Sequence, residues 1–357
     1  MSTERQRARC RDRLDRLSGS ACDIDELRLE AIVELQRTIG FGRWSTLLMD
    51  PDTLALNRAI GHQDRDFYTR LPDLVVLDAR LDDVNNSGVL ARSRDRVGVL
   101  SAATGGDLAR SRRWRQHYAR YGMGDELRAV LADERGCWGT VQVFRDSDDP
   151  PYDPEDAQLL RDVGPMIARG LRRGAVAPAH AERATPSEAG VVLLGDDLRP
   201  HGVTDPGRAW LEVLDPARMP YTDRIPAPVW SVAGRLLAAE HGEDPQRPAR
   251  ARVRAADGRW AVLEAARLTG AGGGIAVTIR PAAVDDLLDV VCRAHGLSAR
   301  ERELVALLAD GLDTRAIAAR LFISRHTVQD HCKSIFEKTG ARSRRELVSG
   351  VLAGPSP

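Results

Sequence analysis

Apolar positions change period several times along the chain, and each change marks an element. DIDELRLEAIVELQRTIGFG, beginning at Asp23, spaces Ile24, Leu27, Ile32, Leu35 and Ile39 as one helical face. WSTLLMDPD (44–52) reads as a strand closed by a turn, and DELRAVLADERGCWGTVQVFRD (125–146) as two strands around a short turn. PYDPEDAQLLRDVGPMIARGLRR (151–173) returns to helical spacing. Helix, strand, irregular middle, hairpin and closing helix predict an α+β domain over 1–173, with helices on one face of an antiparallel sheet.

A linker is expected at 174–189, where RRGAVAPAHAERATPSEAG (172–190) is rich in Ala and Pro and lacks periodicity. From 190 to 281 a second α+β unit is predicted. GVVLLGDDLRP gives a strand and turn, TDPGRAWLEVLD and APVWSVAGRLLAAEH give helices, and RARVRAADGRWAVLEAARLTGAGGGIAVTIRP gives three strands. After a connecting helix over 282–296, the segment 297–357 reads as four short helices. Ser298 and Glu301 form a capping box for the first, Asp313 caps the second, Ser324 caps the third and Gly340 stops it, and SRRELVSGVL supplies the fourth. The fold class is therefore multidomain: two α+β units followed by an all-α four-helix unit.

Composition adds exclusions. The 357 residues carry no net charge, so any nucleic-acid footprint must be local. No apolar run approaches the roughly 20 residues that span a bilayer, and MSTERQRARCRDRLDRL lacks the apolar core of a signal peptide; a cytoplasmic location and no membrane partner are expected. Cys10, Cys22, Cys137, Cys292 and Cys332 are scattered without a C-x-x-C pair, which predicts reduced thiols and no zinc ribbon. GAGGG (270–274) runs into a strand rather than opening a helix, so it reads as a hairpin turn and not as a phosphate loop. Neither a catalytic group, a metal site nor a cofactor is expected.

SRHTVQDHCK (324–333) has the residue types of a metal cluster, but a helix turns about 100° per residue and sets His331 roughly 140° from His326. Wound as a helix, the segment turns Val328 and Ile335 inward toward Ile317, Leu321, Ile323, Leu304 and Leu308. Arg325, His326, Gln329, Asp330 and Lys333 remain on the polar face. A helix, a tight turn and a second helix with such a face form the helix-turn-helix arrangement, here about 313–332. Gln suits adenine, Lys suits guanine, and Asp accepts from a cytosine amine. The segment 297–357 holds ten basic and seven acidic residues, a local charge of +3, which favours phosphate contact.

LSARERELVALLADGLDTRAIAARLFISRHTVQDHCKSIFEKTGARSRRELV resembles the DNA-binding domain of the LuxR family of bacterial transcription regulators over about one sixth of the chain. The resemblance implies that Ser324 and Thr327 lie at the phosphate backbone and that Gln329, Asp330 and Lys333 face bases. It implies structural roles for Ile317, Leu321, Ile323, Val328, His331 and Ile335, with Arg325 and Arg344 joining the DNA-binding set. Two departures stand out: Gln329 and Asp330 occupy positions that are often basic and aliphatic in the family, and Ala316 leaves the second helix capped by Asp313 alone. A homodimer is implied, with Leu347, Val348, Val351 and Leu352 as its apolar face.

Residues 1–173 resemble a GAF domain and 190–281 a PAS domain, in element order and hydrophobic pattern. Together the resemblances imply a one-component regulator of promoter DNA, tuned by a signal, with RNA polymerase as partner if it activates and an unknown small molecule as a possible ligand. An adaptor whose last helices bind protein, or an enzyme carrying GAF and PAS modules, are the other readings; for the enzyme, no stretch of catalytic size remains. His201 and Cys137 are isolated sensor candidates, each read first as an ordinary residue. Trp44, Trp114 and Trp138 are read first as core and second as pocket lining. The arginine-rich N-terminus, with Leu14 and Leu17 as its apolar content, reads as a frayed solvated helix or as an auxiliary contact arm.

Overall fold

The computed structural model describes residues 3–20, 23–177, 185–214, 225–242, 248–255, 257–270 and 273–348. The first unit opens with α1 (Thr3–Gly19) and α2 (Ile24–Ile39), followed by β1 (Arg43–Met49) and β2 (Leu56–His62). A run of short helices comes next: α3 (Arg65–Thr69), α4 (Leu71–Ala79), α5 (Ser87–Arg92), then β3 (Val97–Val99), α6 (Leu100–Thr104) and α7 (Arg112–Gln116). The hairpin β4 (Met123–Asp133) and β5 (Gly136–Asp146) leads into the long α8 (Pro154–Val176). The sheet is antiparallel in the order β2-β1-β5-β4-β3.

Both faces of this sheet are covered, which corrects the expectation of helices on one face. Odd positions of β5 such as Val141 and Val143 pack with Leu127 and Leu131 against Leu160, Val163 and Ile167 of α8. Even positions such as Phe144 face Phe67, Leu71 and Tyr118 from the irregular middle. β4 and β5 are consequently buried almost throughout, and strands covered on both faces lose the alternation that identifies a half-buried strand. The irregular middle also contains β2 and β3.

The N-terminal helix is neither frayed nor a free arm. Cys10 and Leu14 are 2% and 0% exposed, packed with α2 and α8. Arg7 pairs with Asp156 at 3.0 Å and with Glu155, Arg11 with Asp162 at 2.5 Å, and Arg169 of α8 with Asp15 at 3.0 Å. Arg7 and Arg11, expected among the solvated arginines, instead meet acids of α8, a match that only the fold creates, while Arg5, Arg9, Arg13 and Arg16 are exposed. α8 continues to Val176, so the first residues assigned to the linker are helical; 178–184 lie outside the described residues.

The second unit comprises β6 (Gly190–Leu194), β7 (Pro200–Val203), α9 (Asp205–Leu214), α10 (Ala227–Glu240), β8 (Arg250–Arg254), β9 (Trp260–Arg267) and β10 (Ile275–Pro281). Its sheet runs β7-β6-β10-β9-β8, the same internal order as the first. The two units share a core, since Trp230, Val229 and Val232 of α10 belong to the same cluster as Phe67, Leu71 and Val75. A bidentate ion pair crosses between them: Arg252 Nε and Nη2 donate to Asp50 Oδ2 and Oδ1 at 2.8 and 2.7 Å. Asp50 is 0% exposed. Burial alone would raise its carboxyl, and the guanidinium with the amides of Asp52 and Thr53 outweighs that and holds it below the usual range.

The chain continues through α11 (Val284–His295) into α12 (Ala299–Ala309), α13 (Thr314–Leu321), α14 (Arg325–Thr339) and α15 (Arg344–Glu346). Leu287, Val290 and Val291 of α11 join the cluster that runs from α8 to the last helices. Arg172 of α8 fixes this seat, with Nε on Asp133 Oδ2 and Nη1 on Ala294 O, both at 2.7 Å.

Candidate nucleic-acid interface

The last helices begin where local sequence places them. Ser298 Oγ accepts from Glu301 N at 3.2 Å, and Glu301 Oε2 accepts from Ser298 N at 2.6 Å. Asp313 Oδ1 accepts from Ala316 N at 2.7 Å, and Ser324 Oγ from Thr327 N at 3.0 Å. Between α13 and α14 the turn is made by Phe322, left-handed at φ 54° and 95% exposed. The Ile323 amide reaches back to Ala318 O at 3.0 Å, the C-terminal bond pattern that usually uses glycine. Gly340, at φ 75°, ends α14.

Packing then divides α14 into two faces. Val328 and Ile335 are fully buried against Leu304, Leu308, Ile317 and Leu321, while Ile323 and His331 are half-buried. Arg325, His326, Gln329, Asp330 and Lys333 are exposed and lie together on the outward face. His326 and His331 do not converge, and among the described residues no group of His, Cys, Asp and Glu could hold a metal. His326 Nδ1 and Asp330 Oδ1 stand 3.7 Å apart, one turn along the helix, with side chains 83% and 67% exposed; so open a pair contributes little stability.

Glu301 is the electrostatic anchor that sequence reasoning saw only in part. It is 3% exposed. Beyond its cap bond it accepts from Ser334 Oγ at 2.7 Å and from Lys338 Nζ at 2.7 Å. Burial pushes its carboxyl up, but the Lys338 ammonium, the Ser298 amide and the Ser334 hydroxyl bring it down to about 2. The capping acid of α12 thereby fixes the far end of α14. No local signal links positions more than thirty residues apart.

Two groups of residues depart from expectation. Arg344 donates from Nη1 to Leu312 O at 2.6 Å and from Nη2 to Leu308 O at 2.7 Å, so its guanidinium ties the last helix to the carbonyls around the end of α12, beside the Gly311 amide that Leu308 O also accepts. Leu347, expected on a dimer face, is 1% exposed in the domain core; Val348 is half-buried, and Val351 and Leu352 lie outside the described residues. Ser324 and Thr327 sit at the N-terminus of α14, where their hydroxyls stand 2.9 Å apart within the cap.

The sensor candidates are dispersed. His201 is exposed on β7, and Cys137 is buried with its Sγ toward Gly139 O, as Cys10 and Cys292 are buried and Cys332 half-buried; Cys22 lies outside the described residues. Trp138 and Trp44 belong to the core on the α8 side, and Trp114 donates to Met123 O at 2.9 Å. None of the three lines the cavity of the first unit. Among the described residues no helix is long and apolar enough to cross a membrane.

Comparison with known proteins agrees with this geometry. The family profile GerE, "Bacterial regulatory proteins, luxR family", matches residues 295–351. The chain is 35% identical over 105 residues to the "Probable transcriptional regulatory protein SgaR" of Hyphomicrobium methylovorum, covering 25% of this chain and 50% of that protein. It is 40% identical over 71 residues to the transcriptional regulatory protein FixJ of Rhizobium meliloti (20% and 35%), and 45% identical over 53 residues to the monoamine regulon transcriptional regulator of Klebsiella aerogenes (15% and 23%). The chain thus spans half or less of the length of these relatives. A crystal structure of Escherichia coli SdiA overlays 97% of this chain at a TM-score of 0.34 and 11% identity, too loose to relate the folds. What the profile and the helix geometry establish together is that this chain carries a LuxR-family helix-turn-helix domain at its C-terminal end, behind two α+β units, in the manner of a LuxR-type transcriptional regulator.

Proposed function

We propose that the protein is a one-component transcriptional regulator that binds double-stranded promoter DNA as a homodimer through α14, under control of a signal received by its GAF-like and PAS-like units. The observation that carries this reading is the outward face of α14. Arg325, Gln329, Asp330 and Lys333 lie exposed on a helix held rigidly from behind by Val328 and Ile335. Such a helix fits the major groove, and its amide, carboxylate and ammonium suit adenine, cytosine and guanine edges in turn. Exposed Arg315, Arg320 and Arg342 add positive charge around it. RNA polymerase is the further partner if the protein activates.

The domain reading is supported by the order of both sheets, in which each unit places its strands as 2-1-5-4-3 in its own numbering. The ion pair between Asp50 and Arg252 and the bond from Arg172 to the end of α11 give a continuous path from these units to the helix-turn-helix. The test is binding to operators mapped across a genome. Lys333→Ala is expected to relax preference at one base pair, costing about 1–3 kcal/mol there, and to lower the salt dependence by about one released ion. Unaltered affinity and base preference would refute the face, and a monomer on a single half-site in sedimentation would refute the dimer.

A further inference from the structure

Phe322, in the turn between α13 and α14, is left open to a degree that no other large apolar side chain among the described residues reaches. It is 95% exposed, whereas Leu29, Val33, Val89 and Leu268 are 36–46% exposed and lie in the two α+β units. A single exposed apolar residue is ordinary in itself. This one also occupies a backbone position that local chemistry disfavours.

Its backbone is left-handed, at φ 54° and ψ 44°, where a Cβ crowds the following carbonyl and Gly or Asn is the usual occupant. The turn does not need the ring. Its hydrogen bonds come from main-chain amides, Phe322 N to Ala319 O at 3.4 Å and Ile323 N to Ala318 O at 3.0 Å. Its apolar anchor is Ile323, which packs on the cluster that holds Ile317 and Leu321, the contact that such helix ends commonly use. Glycine would therefore satisfy the fold at 322, and the ring gains nothing from the protein. The two amide bonds nevertheless fix the backbone from which the ring projects.

The surroundings of the ring are cationic. Arg300 Nη2 donates to Leu321 O at 2.7 Å, the carbonyl joined to the Phe322 amide, and Arg320 and Arg325 are exposed two residues before and three after. Glu303, which accepts from Arg300 Nη1 at 2.6 Å, is the acid beside them. Ser324, the cap of α14, follows two residues on, so the ring stands at the same end of α14 as the Ser324 and Thr327 hydroxyls. A protein partner would call for a contiguous apolar patch, and the other exposed large hydrophobics lie in other units. An apolar ring among cations suits instead a partner that alternates anionic and apolar groups, as phosphate and deoxyribose do along DNA. In helix-turn-helix proteins the first helix crosses that backbone while the second enters the groove, which brings the turn beside the sugars.

We propose that the Phe322 ring packs on a deoxyribose of the strand bordering the major groove, beside phosphates met by its flanking arginines, and so seats α14 on DNA without reading sequence. The proposal rests on reading α14 as the DNA-binding helix, and it adds to that reading an apolar contact that salt does not screen.

The test measures binding of the full chain, by fluorescence anisotropy over a range of salt, to a mapped operator and to an unrelated duplex of equal length. Phe322→Gly and Phe322→Asn both suit the left-handed backbone, so their melting midpoints should match or exceed that of wild type. Each should bind about tenfold more weakly, the worth of burying about half the ring, by the same factor on both duplexes. The slope of affinity against salt should stay as in wild type, because no counterion is released by an apolar contact; Arg325→Ala, in contrast, should lower it by about one. Phe322→Leu, which keeps apolar bulk, should lose less than Phe322→Gly. Wild-type affinity in both the Gly and Asn variants overturns the contact alone, provided that Lys333→Ala still relaxes base preference. A changed base preference in the Gly and Asn variants overturns the sugar contact in favour of a base contact. Unaltered DNA affinity with reduced transcription by RNA polymerase overturns it in favour of a protein partner. No binding of wild type to any duplex overturns the reading of α14 and this proposal with it.

Discussion

Glu301→Gln isolates the anchor of the helix-turn-helix. Wild-type Glu301 is held at about 2 against an ordinary value of 4.5, and at about 1.4 kcal/mol for each tenfold this is about 3 kcal/mol of domain stability at neutral pH. Gln keeps an acceptor for the Ser298 amide and loses the charge that holds Lys338, so a loss of about 2–3 kcal/mol is expected. The sign follows from a depressed acid: the stabilisation is complete above the unfolded value near 4.5 and drains away as pH falls toward 2. By pH 3 less than half of it remains, by the same linkage. Native-state hydrogen exchange of amides in α12 and α14 of the full chain reads this locally, as exchange roughly a hundredfold faster in the variant at pH 7, with the gap closing at low pH. A gap under about 0.5 kcal/mol at pH 7, or one that stays constant down to pH 3, would refute the assigned role.

Two further outcomes follow from the packing. Arg344→Ala should cost about 1–3 kcal/mol by removing the guanidinium from the Leu312 carbonyl and one of the two donors from the Leu308 carbonyl, seen as faster exchange at the end of α12. The salt slope of DNA binding should stay as in wild type; a slope lower by one would return Arg344 to the DNA-contacting set. Asp50→Ala should cost about 3–5 kcal/mol by stranding the Arg252 guanidinium in a buried joint, read as loss of exchange protection in β8. Asp50→Ala with Arg252→Met should recover part of the loss, and a double variant as weak as the sum of both singles would mean the pair is not coupled.

Much of the C-terminal domain was legible in the sequence because its signals are local. Ser298 with Glu301, Asp313, Ser324 and Gly340 each act within one turn of helix, and the inward turn of Val328 and Ile335 follows from helical period alone. The second unit was nearly as legible, since β8, β9 and β10 are separated by glycine turns; only β7, four residues long, escaped. In the first unit β1, β4 and β5 could be read, but β2 could not, because LNRAIGH shows neither alternation nor an apolar run.

What the sequence by itself determined was the element order, the caps and the polar face of α14, all consequences of spacing over a few residues. The tertiary structure decided the rest. Only strand register sets Ser45, Gln142 and Arg128 in one row, and only the packing of the two units brings Asp50 to Arg252 across 202 positions. Likewise Lys338 reaches Glu301, and Arg344 reaches Leu308, across 37 and 36 positions. Such partners depend on where distant backbones meet, and one-dimensional periodicity carries no record of that; it is why the Arg344 guanidinium meets the Leu308 and Leu312 carbonyls, Leu347 is core, and the arginine-rich N-terminus is a docked helix.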